Sequence, residues 1–300
     1  MIYSGHVKWF VPFEELTEGK MIDFSFTDPA VQVGVGAILA ILLIAFWLDK
    51  KTKTPNWLKV FADRYEKLIL KIFQIMVGLF LLITAYESML FAPIFAVATL
   101  AEKALSAITV LAGLMMIFNY RIWISAVLLV FVYASAMFFY GFTAMIEHFH
   151  LIGIALFMFL YDFPYRKFKF IEKIRLRGVD ILRISTGIAL IILAWQEKLS
   201  FPILSEEFLS LHHWNFMKDF FHLSAFSDRY FALAGGFTEL LFGLLFVAGW
   251  VTRINTLATS FFFISTAIIL GPHEVLGHMP IFAIVIIFLV WGRSKKTTLN

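Results

Sequence analysis

The sequence predicts an all-α integral membrane protein with nine transmembrane helices, one N-terminal helix followed by two four-helix bundles. Composition and the spacing of the apolar runs carry this prediction. Of the 300 residues, 61% are hydrophobic and 15% are charged, whereas soluble domains are about 45–50% apolar and about 25% charged. A soluble protein would need more polar surface to stay dispersed. An ordinary cytosolic enzyme and a disordered chain are therefore excluded.

The individual elements follow from the lengths of the apolar runs. A transmembrane helix needs about 20 mostly apolar residues, with a lower limit of about 17. Nine runs reach or approach this length: Val31–Leu48, Leu68–Tyr86, Ala98–Phe118, Ile122–Ile146, Leu151–Tyr161, Ile181–Lys198, Phe231–Trp250, Asn255–Leu270 and Met279–Trp291. The fifth and ninth runs are short unless the Glu and His residues before them join the helix. Residues 1–30 have no long apolar core, so we expect the first span to act as its own insertion signal.

The basic residues predict the orientation, because Lys and Arg are enriched in cytoplasmic loops. With the N-terminus outside, 19 of the 25 basic residues lie on the inner side of the membrane and 6 on the outer side. The sequence therefore predicts a protein of a bacterial or archaeal cytoplasmic membrane, with its N-terminus outside and its C-terminus inside. All eight His residues then lie at the outer face.

An internal repeat is indicated by two similar segments, Ala85–Ile94 and Ala194–Ile203, which contain Pro93 and Pro202 at matching positions. Each segment closes the first span of a four-span block, and a basic, aromatic-rich stretch precedes each block. We therefore divide the chain into 1–54, 55–163 and 164–300, the last two being parallel repeats. The alternative is that any two four-span bundles look alike.

Two clusters of Glu and His precede the short spans. They contain Glu147, His148 and His150 in the first block, and His273, Glu274 and His278 in the second. On a helix, Glu147 and His150 share a face, and so do Glu274 and His278. Because the chain has no Cys, disulfides, iron–sulfur clusters and thiol catalysis are excluded.

Three further carboxylates complete the candidate site. Glu87 and Glu197 end the first helix of each block, and in an up-down bundle the first and last helices are neighbours. Each block can thus bring a carboxylate near a Glu/His pair, which suits iron, copper, manganese or zinc or proton exchange with a quinol. The alternative is that these residues only cap short spans. Glu239 lies inside an apolar span, where a carboxylate is costly and faces the bundle interior; a structural, protonated or Arg-paired carboxylate is the other interpretation.

The second block resembles the DoxX-like membrane family. The resemblance rests on Leu182-Arg183-Ile184, Gly187 and Lys198-Leu199 in the first helix, and on Glu239, Gly243, Gly249 and Arg253 in the third segment. It covers about Arg177 to Trp291 and implies a four-helix bundle, here in tandem. The first block departs from it, with Thr109 near the position of Glu239, although Gly113 is present. Some members of the family are subunits of thiosulfate:quinone oxidoreductases, so the resemblance implies a quinone-linked role.

The sequence therefore predicts a membrane subunit of a redox or respiratory complex with a Glu/His site on its outer face. The candidate catalytic residues are Glu239, Glu197 and Glu274, and the candidate metal ligands are His278, His273, Glu274, Glu147, His148, His150 and Glu87. The expected cofactors are iron or copper, haem, or a quinone, and the expected partners are the bilayer and redox subunits, with no nucleic acid. A metal- or haem-delivery protein and a non-catalytic scaffold are the alternatives.

Overall fold

The computed structural model describes residues 24–164, 174, 177–200, 205, 206, 208–210 and 213–293, without the side chains of residues 269, 270, 272 and 273. These residues form helices joined by short turns, with one isolated β-bridge between Met89 and Ala96. The helices are α1 (Pro29–Lys51), α2 (Asn56–Tyr86), α3 (Leu100–Ile117), α4 (Ile122–Tyr140), α5 (Phe142–Ile146), α6 (His150–Asp162), α7 (Gly178–Ala194), α8 (Phe216–Asp219), α9 (Asp228–Ala248), α10 (Thr252–Leu270) and α11 (Pro272–Trp291). A π-helical turn, Trp195–Leu199, extends α7.

Seven helices in the described part of the chain are long and apolar enough to cross a membrane. They are α1, α2, α3, α4, α7 with its π-helical turn, α9 and α11. Helix α6 is apolar but shorter, with 13 residues. The prediction of an all-helical membrane protein is therefore confirmed.

Two of the predicted spans have different bounds in the structure. The predicted span Ile122–Ile146 breaks at Gly141, whose φ of 89° lies in a region that side chains disfavour, and the chain continues as the short α5. The last span begins before its predicted start, because α11 runs without a break from Pro272 with Pro280 inside it. His278 therefore lies within a full-length helix.

Capping residues fix several helix starts. Asp28 accepts a hydrogen bond of 2.9 Å from the Ala30 N–H, directly before Pro29 at the first position of α1. Thr99 and Glu102 form a reciprocal capping box that sets the start of α3. In each case the side chain satisfies backbone N–H groups that have no partner within the helix.

Glycine pairs bring two pairs of helices into close contact. A Cβ atom on Gly78 in α2 would lie 2.8 Å from the carbonyl oxygen of Gly113 in α3. A Cβ atom on Gly187 in α7 would lie 2.6 Å from the carbonyl oxygen of Gly243 in α9. Small residues at such crossings let helix backbones approach closely, which is a main source of packing energy inside membranes.

The order of helices around the molecule differs from the predicted one. We expected the first and last helices of each block to be closest neighbours. Instead, α2 packs most extensively on α3 and α11, and α7 packs on α9 and α6. The contacts therefore close a ring, α2–α3–α4–α6–α7–α9–α10–α11, and one hydrophobic core contains residues of both halves. This arrangement is favoured because it buries the apolar faces of both halves together.

Helix α1 lies outside this ring, against α9. Gly34 provides the contact, since a Cβ atom there would lie 2.3 Å from the Phe237 ring. At one end of α1, Asp28 forms an ion pair of 2.6 Å with Arg229. At the other end, Asp49 accepts a hydrogen bond of 2.8 Å from the Val251 N–H and pairs with Arg293.

Candidate functional site: a polar cavity in the second half

A cavity of about 550 Å³ lies between α7, α9, α10, α11 and the segment 205–226. Most of its wall is apolar and aromatic. Its polar lining residues are Glu197, Lys198, Ser205, Thr238, Glu239, Ser265, Thr266, Glu274 and His278. The structure thus brings together four of the candidate residues that we selected in the second block: Glu197, Glu239, Glu274 and His278. An apolar pocket of about 300–1,000 Å³ with a few converging polar groups is typical of small-molecule sites.

The π-helical turn positions two of these residues. Ser200 N–H donates a hydrogen bond of 2.8 Å to the Trp195 carbonyl oxygen, five residues back. The turn therefore carries both Glu197 and Lys198 to the cavity wall. π-Helical turns are rare and occur frequently at functional sites.

Lys198 and Glu239 form a buried ion pair across the cavity floor. Lys198 Nζ donates to Glu239 Oε1, and the Glu239 side chain is only 3% exposed. The Lys198 ammonium also interacts electrostatically with Glu197 and Glu274. Gly236 permits this geometry, because a Cβ atom there would lie 2.8 Å from Lys198 Cβ.

Glu274 and His278 lie one turn apart on α11. His278 Nδ1 is 3.1 Å from the Glu274 carbonyl oxygen and 3.3 Å from Glu274 Oε1. Because the carbonyl oxygen can only accept, the proton of the neutral imidazole is on Nδ1. The His278 ring also stacks on Phe263, with ring centroids 4.4 Å apart, so its position is fixed from two sides.

Carboxylates outnumber cations in this cavity. Glu197, Glu239 and Glu274 are each at most 5% exposed, and Lys198 is the ammonium among the residues that line the wall. The second oxygen, Oε2, of both Glu239 and Glu274 is buried and has no hydrogen-bond partner within the described part of the protein. Buried carboxylate oxygens of this kind can take up a proton or accept a hydrogen bond from a ligand.

The candidate residues of the first half are divided. Glu147, His148 and His150 are buried, and the rings of the two histidines lie 6.1 Å apart. His150 also interacts electrostatically with His278 of the second half. Glu87, by contrast, is exposed at the C-terminal end of α2. In the turn between α5 and α6, burial lowers the pKa of His148 to about 4, so this imidazole is neutral at physiological pH.

The remaining histidines do not join the cavity. His213 and His222 are exposed, and the side chain of His273 lies outside the described residues, as do His6 and His212. Among the side chains that the structure describes, no group of three or more His, Asp or Glu residues is arranged to hold a metal ion.

The first half carries a less polar version of the same positions. Ser125 Oγ donates to the Ala112 carbonyl oxygen, and 130 residues later Asn255 Nδ2 donates to the Phe242 carbonyl oxygen. Gly141 and Gly271 follow the same spacing, with φ of 89° and 85°. At this spacing, Glu239, Glu274 and His278 correspond to Thr109, Ala144 and His148. The matched segments around Pro93 and Pro202 align Lys198 with Met89.

Sequence reasoning missed Lys198, which we treated only as the end of a span. A signal was present, because a buried membrane carboxylate such as Glu239 usually has a charged partner, and Lys198 is one of few basic residues on the same predicted side. Comparison of the chain with family models, with characterised proteins and with solved structures finds no match.

Proposed function

We propose that the protein is the membrane subunit of a redox complex and that the cavity of its second half binds a quinol. The observation that carries this proposal is the convergence of three buried carboxylates, Lys198 and His278 on one aromatic-walled cavity. A quinol has an apolar ring and two hydroxyl groups that donate hydrogen bonds. The aromatic wall suits the ring, and the carboxylates suit the hydroxyl groups.

The chemistry of the site is proton transfer. Oxidation of a quinol to a quinone releases two protons and two electrons. Glu239 and Glu274 each have a carboxylate oxygen without a described partner, and they accept the two protons. Lys198 keeps Glu239 paired while its second oxygen takes part, and the Nδ1–H of His278 lies beside Glu274. The electrons pass to an acceptor, such as a haem, iron–sulfur or copper centre, in a partner subunit on the outer face.

The proposed topology has nine crossings, with the N-terminus outside the cytoplasmic membrane of a bacterium or archaeon. The strong bias of Lys and Arg supports this orientation. The two four-helix blocks are proposed to be DoxX-like repeats around an axis along the membrane normal. The matched pairs Gly78–Gly113 and Gly187–Gly243 support the duplication, and so does the reciprocal packing of α2 on α11 and of α7 on α6.

A binding measurement tests the proposal. The protein in lipid nanodiscs is titrated with a decyl-substituted benzoquinol under reducing conditions. We expect saturable binding, and we expect Glu274→Gln to weaken it about 10- to 100-fold, because a hydrogen bond to a charged group contributes about 1.5–3 kcal/mol. Asp63→Asn, on an exposed part of α2, is the matched control and leaves the affinity unchanged.

Two results would contradict the proposal. The first is an affinity that does not change in Glu274→Gln. The second is a stoichiometric transition metal or a haem Soret band in the purified protein, lost in His278→Ala, which would assign the Glu/His residues to a metal- or haem-delivery protein instead.

A further inference from the structure

The cavity extends to the lateral surface of the protein between α9 and α10. Its lining residues include Ala234 and Thr238 on α9 and Phe261 on α10. Ala234 is exposed, and the Phe261 side chain is 77% exposed. Thr238 and Phe261 lie near the middle of their helices, about as far along the chain from either helix end as Glu239. This side of the cavity therefore faces the hydrocarbon layer of the membrane.

The rim of this opening is compatible with acyl chains. Thr238 Oγ1 donates to the Ala234 carbonyl oxygen at 2.8 Å, and Ser265 Oγ donates to the Phe261 carbonyl oxygen at 2.7 Å. Both hydroxyl groups are thus satisfied within their own helices. Lipid can cover them without leaving a polar group unpaired, which would be costly in hydrocarbon.

The equivalent side of the first half is closed. At the spacing of 130 residues, Gly235 and Thr238 correspond to Leu105 and Ile108 on α3. Leu105 is 6% exposed, and Ile108 packs against the hydrophobic core. Helices α3 and α4 also pack more closely on each other than α9 and α10 do. The smaller residues of α9 therefore leave open a gap that Leu and Ile fill in the first half.

We propose that the ligand of the cavity enters sideways from the hydrocarbon layer, through this gap, and that Gly235 and Thr238 keep the gap open. The identity of the ligand as a quinol rests on the proposed function above. The path explains how one cavity serves a molecule that dissolves in lipid. The ring enters first between α9 and α10 and ends beside Glu239 and Glu274, while an alkyl tail remains in the bilayer.

Exchange kinetics test the path. The double variant Gly235→Leu/Thr238→Ile gives α9 the residues of the first half. We expect it to slow both association and dissociation of the decyl-substituted benzoquinol in nanodiscs about tenfold, which is a barrier increase of about 1.4 kcal/mol. Thr238→Ile alone leaves the neighbourhood of Lys198 unaltered and should show a smaller slowing. Ala258→Leu adds similar bulk to an exposed face of α10 outside the cavity wall and should change neither rate. Rates that are unchanged in the double variant would overturn the path.

A ligand-free measurement separates this path from the proposed function. Because the chain has no Cys, Ser205→Cys gives a single thiol in the cavity wall, which is labelled with a small fluorophore. Lipids with a nitroxide at the middle of the acyl chain should quench this fluorophore, and the double variant should reduce the quenching. Quenching by aqueous iodide but not by these lipids would overturn the path. If lipid quenching occurs but no quinol binds, the path holds and the proposed function fails.

Discussion

Lys198 and Glu239 illustrate how a single pair of residues shapes this protein. Each would be costly alone inside the membrane, and each offsets the burial of the other. The first half has Met89 and Thr109 at the corresponding positions and contains no such pair there. Thr109 instead donates its hydroxyl to the Leu105 carbonyl oxygen at 2.9 Å, so a bundle of this kind does not need the ion pair for stability. The pair is therefore better explained by function than by folding.

This interpretation predicts a specific pattern of stability. Lys198→Met should destabilise the protein by about 3–5 kcal/mol if Glu239 stays charged, because it leaves a buried carboxylate without its cation. The double variant Lys198→Met/Glu239→Thr, which introduces the first-half residues, should recover most of this loss. Thermal unfolding in detergent measures both variants. A double variant that is as unstable as the single one would show that the pair is structural.

The helices themselves were predictable, but their neighbours were not. Apolar runs set the number and place of the long helices, and caps such as Thr99 set their ends. Every apolar helix face is equally at home in lipid, so hydrophobicity could not indicate that α2 packs on α11. That choice depends on small residues and hydrogen bonds. For the same reason, the burial of Glu239 could be expected from sequence, whereas its pairing with Lys198 depends on the π-helical turn and on Gly236.

The glycine contacts make a prediction for the pairing of α7 and α9. Gly187→Ala places a methyl group 2.6 Å from the Gly243 carbonyl oxygen, so the two backbones must move apart. We expect a loss of about 1–3 kcal/mol, as for other overpacked contacts, seen as a lower temperature of thermal unfolding. Gly36→Ala on α1 is the control, because its Cβ atom would meet nothing within 4 Å. Equal stability of the Gly187 variant and the control would rule out close packing at this crossing.

At the scale of the whole molecule, the two halves share one core but differ in polarity. The second half contains the cavity, the ion pair and the contact with α1, while the first half fills the matching positions with apolar residues. The outer location of the cavity depends on the direction of the chain through the membrane. That direction is an interpretation of the basic residues, because helix packing alone is the same in either orientation.

Reporter fusions at the two ends of the chain test this orientation. A reporter that is active only outside the cytoplasm should be active after Met1 and inactive after Asn300. A reporter that is active only in the cytoplasm should give the opposite pattern. The expected result follows from the 19 basic residues on the predicted inner side. Two ends on the same side would require an even number of crossings and would move the cavity away from the outer face.

The contacts of α1 have a consequence for how the protein is made. Its ion-pair partners Arg229 and Arg293 lie 201 and 244 residues further along the chain than Asp28 and Asp49. At about 5–20 residues per second, ribosomes need about 10–40 s to reach the first of them. During this time α1 is a solitary helix surrounded by lipid, while the eight-helix ring is still being completed. The first helix to leave the ribosome is therefore the last to dock, and its two aspartates secure it only after synthesis is almost finished.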